Sequence, residues 1–235
     1  TGVGASNALG AVVQVSGTGS NATTVSVTNG VLDFQAGVQG TGDFAKTGAG
    51  TLTISGASSG FTGSASINAG TVRLAASGGG ALQSASSVTV GAGAILVVSQ
   101  SNQINDTASI TLSGGTILRD AGVSETFGSL NLTAASVIDF GTGAAGTLGF
   151  GLYEGNATPD QVLTVDNFLA GNVLIFGSDL SSFIAASYSG TSFSSAWFTI
   201  NSASGGFTSA WNGSQFTITA IPEPVGMLSA AALVA

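Results

Sequence analysis

The chain of 235 residues contains no Cys and no His. Without them, Ser-His-Asp and Cys-His catalysis are excluded, together with His- or Cys-ligated zinc and any disulfide framework. Charge is scarce as well. Three Lys and Arg and 11 Asp and Glu make up 6% of the residues, where a typical soluble domain carries about 25%. The positions that face water must therefore be Ser, Thr, Asn and Gly. The net charge of −8, with Lys46, Arg73 and Arg119 far apart in sequence, argues against nucleic acid, because phosphate binding needs clustered cations. No apolar run is long enough to span a bilayer, which takes about 20 residues.

Glycine and short apolar strands are what the chain has in abundance. There are 37 Gly, and 43% of residues are hydrophobic. Gly10, Gly30, Gly50, Gly70, Gly93 and Gly115, with Ala135 in the same place, each precede an alternating apolar strand; the intervals are 20, 20, 20, 23, 22 and 20 residues. Several of these strands follow a second one, as in Ser64-Ala65-Ser66-Ile67 before Gly70. Two strands hinged at a Gly, repeated about every twenty residues, mark a solenoid whose turns bury their apolar faces only by stacking. The fold expected is all-β: a right-handed parallel β-helix with about 20–23 residues per coil, followed by a smaller aromatic-rich β cap. At roughly 4.8 Å per coil, seven coils make a rod about 34 Å long. An antiparallel sandwich or barrel is the rival architecture. The hinge Gly suggests φ > 0 at each corner.

Three regions follow. Residues 1–150 form the solenoid. Residues 151–221 lose the twenty-residue phase and collect Tyr153, Phe168, Phe176, Phe183, Tyr188, Phe193, Trp197, Phe198, Phe207, Trp211 and Phe216, which predicts a separate globular core capping the last coil. Strands are expected there at 161–166, 172–176, 196–201 and 214–220, with a helical turn at 179–186. Residues 222–235 hold Pro222, Glu223 and Pro224 and an apolar tail of eleven residues. The chain begins with Thr rather than Met, as a mature product would after removal of a secretory leader.

Residues 46–56, KTGAGTLTISG, followed by Phe61-Thr62-Gly63 and by Asn68-Ala69-Gly70-Thr71-Val72-Arg73-Leu74, resemble the autotransporter-associated β-strand repeat, with looser echoes from about residue 20 to 140. That resemblance implies a parallel β-helix in a secreted or surface passenger of Gram-negative-type bacteria. Pro222-Glu223-Pro224 with the apolar tail is similar to the PEP-CTERM sorting signal of exported bacterial proteins, which implies handling by a membrane exosortase. The basic cluster of that signal is missing, and only half of its apolar stretch is present.

Carboxylates are the one enzymatic option left. Asp33 and Asp139 occupy similar strand positions several coils apart, too far for a hydrolytic pair, and Asp120 and Glu125 are placed in a loop; no enzyme is expected and no cofactor. Asp43 and Asp106 follow turn residues and are weighed as single calcium ligands. Lys46 is assigned to a turn or the surface. Asn-x-Ser/Thr sequons occur at Asn21, Asn105, Asn131, Asn156 and Asn212. The function expected is that of a structural protein which polymerises head to tail into an extracellular filament. The candidate contact residues are Val225, Met227, Leu228, Leu233 and Val234 of the tail and Val12, Val13 and Val15 of the N-terminal segment. The alternative is a surface adhesin that binds glycan through Trp197 and Trp211, with extracellular polysaccharide as partner; membrane contact is expected only through the sorting tail.

Overall fold

The computed structural model describes residues 6–154, 161–182, 184, 187–188, 192–195, 198–201 and 205–222. These form strands, turns and one short 3-10 turn at Gly19–Asn21. Numbered in chain order, the strands fall into two long sheets. The first runs β1 (Ser6–Leu9), β4 (Val31–Phe34), β7 (Thr51–Ile54), β9 (Thr71–Leu74), β11 (Ile95–Val98), β13 (Thr116–Arg119), β15 (Ser136–Asp139), β17 (Leu163–Asp166), β21 (Phe198–Asn201) and β20 (Ser192–Ser194). The second, taken from the same end, runs β3 (Thr23–Ser26), β6 (Phe44–Thr47), β8 (Ser64–Ile67), β10 (Ser87–Val90), β12 (Ser109–Ser113), β14 (Glu125–Ala134), β16 (Thr147–Tyr153), β18 (Val173–Phe176), β23 (Phe216–Ala220), β22 (Phe207–Trp211) and β19 (Ser187–Tyr188). A third, narrow side pairs β2 (Val13–Gln14) with β5 (Val38–Gln39) and continues as parallel bridges Gly40 to Phe61 and Leu82 to Ile104.

Pairing is parallel all the way from β1 to β21 and from β3 to β18. This is the coil, and it displaces the antiparallel sandwich. The period-two alternation puts one file of apolar side chains inside. Leu52, Val72, Leu96, Ile117, Ile138, Val165 and Ile200 lie in successive register, and none is more than 1% exposed. Each contributes roughly 1.5–3 kcal/mol on burial, which no coil could realise alone.

Hinge glycines divide into two kinds. Gly30, Gly70 and Gly93 have φ of +69°, +68° and +68° as expected, whereas at the Gly50 and Gly115 corners the left-handed residues are Gly48 and Gly114. Gly50 is required for space: a Cβ there would lie 2.8 Å from Val27 Cγ1 and 2.9 Å from the backbone carbon of Asn29.

The aromatic region does not build a core of its own. Phe127, Phe150 and Phe176 stack in one column, with ring centroids 4.9 and 5.7 Å apart, and Phe198 meets Phe176 edge-on at 6.4 Å. Phe168, Phe207 and Phe216 belong to the same continuous core. Residue 150 accordingly falls inside β16. The twenty-residue phase is lost because the turns lengthen: Ser136 pairs with Leu163, and Leu163 with Phe198, while the inward alternation persists. All four expected strands are present as β17, β18, β21 and β23. The stretch expected as a helical turn holds one Ile184 N–H to Leu180 carbonyl bond of 3.0 Å; Phe183, Ala185 and Ala186 lie outside the described residues. Antiparallel partners finish this end, with β23 on β18, β22 on β23, β19 on β22 and β20 on β21.

Candidate functional site

The two ends of the solenoid differ. At the N-terminal end the first sheet stops at β1 and the second at β3. All four residues of β1 are exposed, and its outer backbone edge has no strand beside it among the described residues. Leu9, in register with Phe34 and facing inward, is 39% exposed, with no coil below it among the described residues, and Val12 is 38% exposed. Val13, half-buried, pairs with Val38, and Val15 is 2% exposed. Residues 6–15 are thus built into the first coil. Its open edge, bearing Leu9 and Val12, is what remains available. Val225, Met227, Leu228, Leu233, Val234, Glu223 and Pro224 lie outside the described residues, as do Trp197 and Asn156. Pro222 is exposed just past β23.

Two of the three cations are inside. Lys46 is fully buried, and its Nζ donates to the Gly48 carbonyl at 2.7 Å and to the Ala69 carbonyl at 2.9 Å. It therefore caps turns of successive coils from within and is not a surface residue; burial pulls its pKa down. Arg119, 1% exposed, donates to the carbonyls of Phe140 (2.9 Å), Val123 and Ala144 and to Asn172 Oδ1 (2.9 Å), and lies 5.3 Å from the Phe140 ring centroid. Burial lowers its pKa, partly opposed by the nearby Asp120. The alternation carried this signal, since Lys46 is in phase with Phe44, Arg119 with Ile117 and Glu125 with Phe127.

Glu125 opens β14 and points inward rather than lying in a loop. It is 2% exposed and accepts the N–H groups of Gln103 at 2.8 Å and Ile104 at 2.9 Å. Burial raises its pKa to about 7 against those two bonds, and the charge of Asp106 adds to the rise. Asp120 pairs instead with Arg73. That arm starts on β9 and passes β11, where Val97, although it faces outward, is only 4% exposed.

Asp43 latches three coils, its two oxygens accepting Gly19 N–H at 2.8 Å and Ser64 N–H at 2.9 Å, and these bonds hold its pKa low. Asp33 accepts the Ser55 hydroxyl at 2.7 Å. Asp139 and Asp166 are direct neighbours on β15 and β17, each held by an Asn amide, Asn167 at 2.7 Å and Asn201 at 2.8 Å. Neither lines the two outer grooves that follow, among the described residues. One groove, of about 420 Å³, is lined by Gly78, Gln83, Asn102, Ile104, Asn105 and Asp106; the other, of about 270 Å³, lies between β16 and the Ser214-Gln215 turn. Among the described residues, no three His, Cys, Asp or Glu gather to hold a metal ion. No helix among them is long and apolar enough to cross a membrane. The sequon residues Asn21 and Asn212 are exposed, while Asn105 and Asn131 are half-buried.

No curated protein and no solved structure matches the chain. Residues 44–74, from β6 through β9, match the family described as the passenger-associated-transport-repeat, so the chain carries one segment similar to an autotransporter passenger repeat, folded as two successive coils of the solenoid.

Proposed function

We propose that the protein is a secreted bacterial structural protein, a subunit that assembles head to tail into an extracellular filament or matrix fibre. The difference between the two ends supports this reading. The N-terminal coil leaves β1 and β3 as sheet edges with Leu9 and Val12 uncovered, and unpaired edge groups are templates for an incoming strand. A strand donated by a second copy makes a heterologous contact that does not close, which propagates a fibre. The donor in this proposal is the apolar tail, residues 225–235. The passenger-type repeat at 44–74 supports a surface or extracellular setting. Pro222, Glu223 and Pro224 are read as a PEP-type sorting motif placed directly after the last strand.

Electron microscopy of the whole chain and of a chain lacking residues 225–235 tests the donor. Fibres only with the tail are expected. Fibres in both samples would remove the tail from the joint, and dispersed particles in both would overturn the filament. The glycan-adhesin alternative rested on two tryptophans; Trp211 packs against the core, and no observation favours that reading.

A further inference from the structure

The charges of this molecule are divided between its faces. On the first sheet the outward file beginning at Asp33 continues through Thr53, Arg73, Val97, Leu118, Asp139 and Asp166. On the second sheet, the outward positions of β3, β6, β8, β10 and β12 and those of β14 that follow Gly128 carry Ser, Thr, Ala and Asn; the charge at their rim is Asp43, which precedes β6 and lies beside Ser64, while Lys46 and Glu125 point inward and are buried. Two files run there in register. Ala45, Ser66, Thr89, Thr111 and Asn131 form one. Ser64, Ser87 and Ser109 form the other, continued by a 3.1 Å bond from the Ser129 hydroxyl to that of Ser109.

We infer that this hydroxyl-rich, nearly uncharged face is a lateral contact surface for a second copy of the chain, so that filaments associate side by side through it; the inference rests on the filament reading for its biological setting. Two copies meeting through their first sheets would oppose Asp33, Asp139 and Asp166 to the same residues. Meeting through their second sheets, they bring one carboxylate per copy, Asp43 at the rim beside Ser64, already held by the Gly19 and Ser64 N–H groups. Hydroxyls both donate and accept, so identical files complement one another in an isologous contact. Both copies also share the strand spacing of about 4.8 Å, which keeps the files in step. The side chains are short, and the sheets can approach closely.

The footprint is small. Six strands at about 4.8 Å by four residues at about 3.3 Å cover roughly 350 Å², under half of the roughly 800 Å² per partner of a standard stable interface. A single pair is therefore weak, and the contact becomes strong only when copies aligned along a filament engage together.

The test is made on the full chain, with Ser66→Lys and Thr111→Lys on this face and Thr53→Lys on the first sheet as the matched control. Each change makes the net charge less negative by one, so a non-specific charge effect predicts more association in all three. Small-angle scattering of dispersed protein at high concentration reads attraction between copies, and electron microscopy reads filament bundling; circular dichroism checks folding. The expected result is a low-angle upturn and bundles in the wild type and in Thr53→Lys, with both lost in Ser66→Lys and Thr111→Lys. No attraction in the wild type, or equal loss in the Thr53→Lys control, would overturn the inference, as would attraction that returns only when a neutral polysaccharide is added. Attraction without any filament would sustain this face and overturn the axial assembly instead.

Discussion

The ammonium of Lys46 donates at 2.9 Å to the carbonyl of Ala69, joining the strand of one coil to the turn that opens β9 of the next. Its second bond, to Gly48 at 2.7 Å, closes the turn of its own coil. Replacing Lys46 with Met keeps most of the packed stem and relieves the desolvated cation, but removes the donor from two part-buried acceptors. Each costs about 1–3 kcal/mol, so a net loss of about 1–3 kcal/mol is expected, read as a lower midpoint in denaturant. Lys46→Ala should lose more, because a cavity is added.

Glu125 gives the fold a pH dependence of defined sign. Its folded pKa of about 7 stands above the ordinary 4.5, so the folded state holds the proton more tightly. The stability it contributes is complete below pH 4.5 and is lost as pH rises to about 7, on the order of 3 kcal/mol by linkage. Asp43 has the opposite sign: its pKa is lowered by the Gly19 and Ser64 N–H bonds, and its contribution disappears as pH falls below 3.8. In urea titrations from pH 4.5 to 8, Glu125→Gln should flatten the decline seen in the wild type. An unchanged decline would remove Glu125 as its source.

The two kinds of glycine should respond differently to substitution. Gly93 has φ +68°, and a Cβ added there would meet nothing within 4 Å, so Gly93→Ala should cost about 1–2 kcal/mol, with Asn milder. At Gly63 a Cβ would lie 1.9 Å from the Gly42 carbonyl oxygen of the adjacent coil. Gly63→Ala should disrupt the stack, read as loss of the cooperative thermal transition. Equal effects at the two positions would contradict this division.

Arg73 and Asp120 are partly exposed, with 42% and 35% of their side chains accessible. Such a pair contributes about 0.2–1 kcal/mol and is screened by salt. Arg73→Met should therefore shift stability little, and by less still at high salt, although it uncovers Val97. A large, salt-insensitive loss would mean that the arm acts by packing.

The solenoid is legible in the sequence because each coil repeats the same problem: an inward alternating strand, a corner and a second strand, in a phase the Gly residues mark from Gly30 to Gly115. Its continuation beyond residue 150 is hidden by longer turns, which break the count without breaking the alternation of Leu163 with Val165 or Leu174 with Phe176. The inward placement of Lys46, Arg119 and Glu125 escapes sequence reasoning because a charge ordinarily marks the surface. In a coil whose turns present carbonyls and N–H groups to the interior, the same side chains satisfy backbone, and only their inward phase reveals it. Asp139 and Asp166 are 27 residues apart in the chain, yet a single strand spacing joins them.

Head-to-tail stacking on the open first coil is tested most directly by placing charge on it. Electron microscopy of the full chain beside a Leu9→Lys, Val12→Lys double variant, with circular dichroism to show that both fold, is the decisive comparison. The account predicts fibres from the wild type and dispersed particles from the variant. Fibres of equal length from both would contradict it.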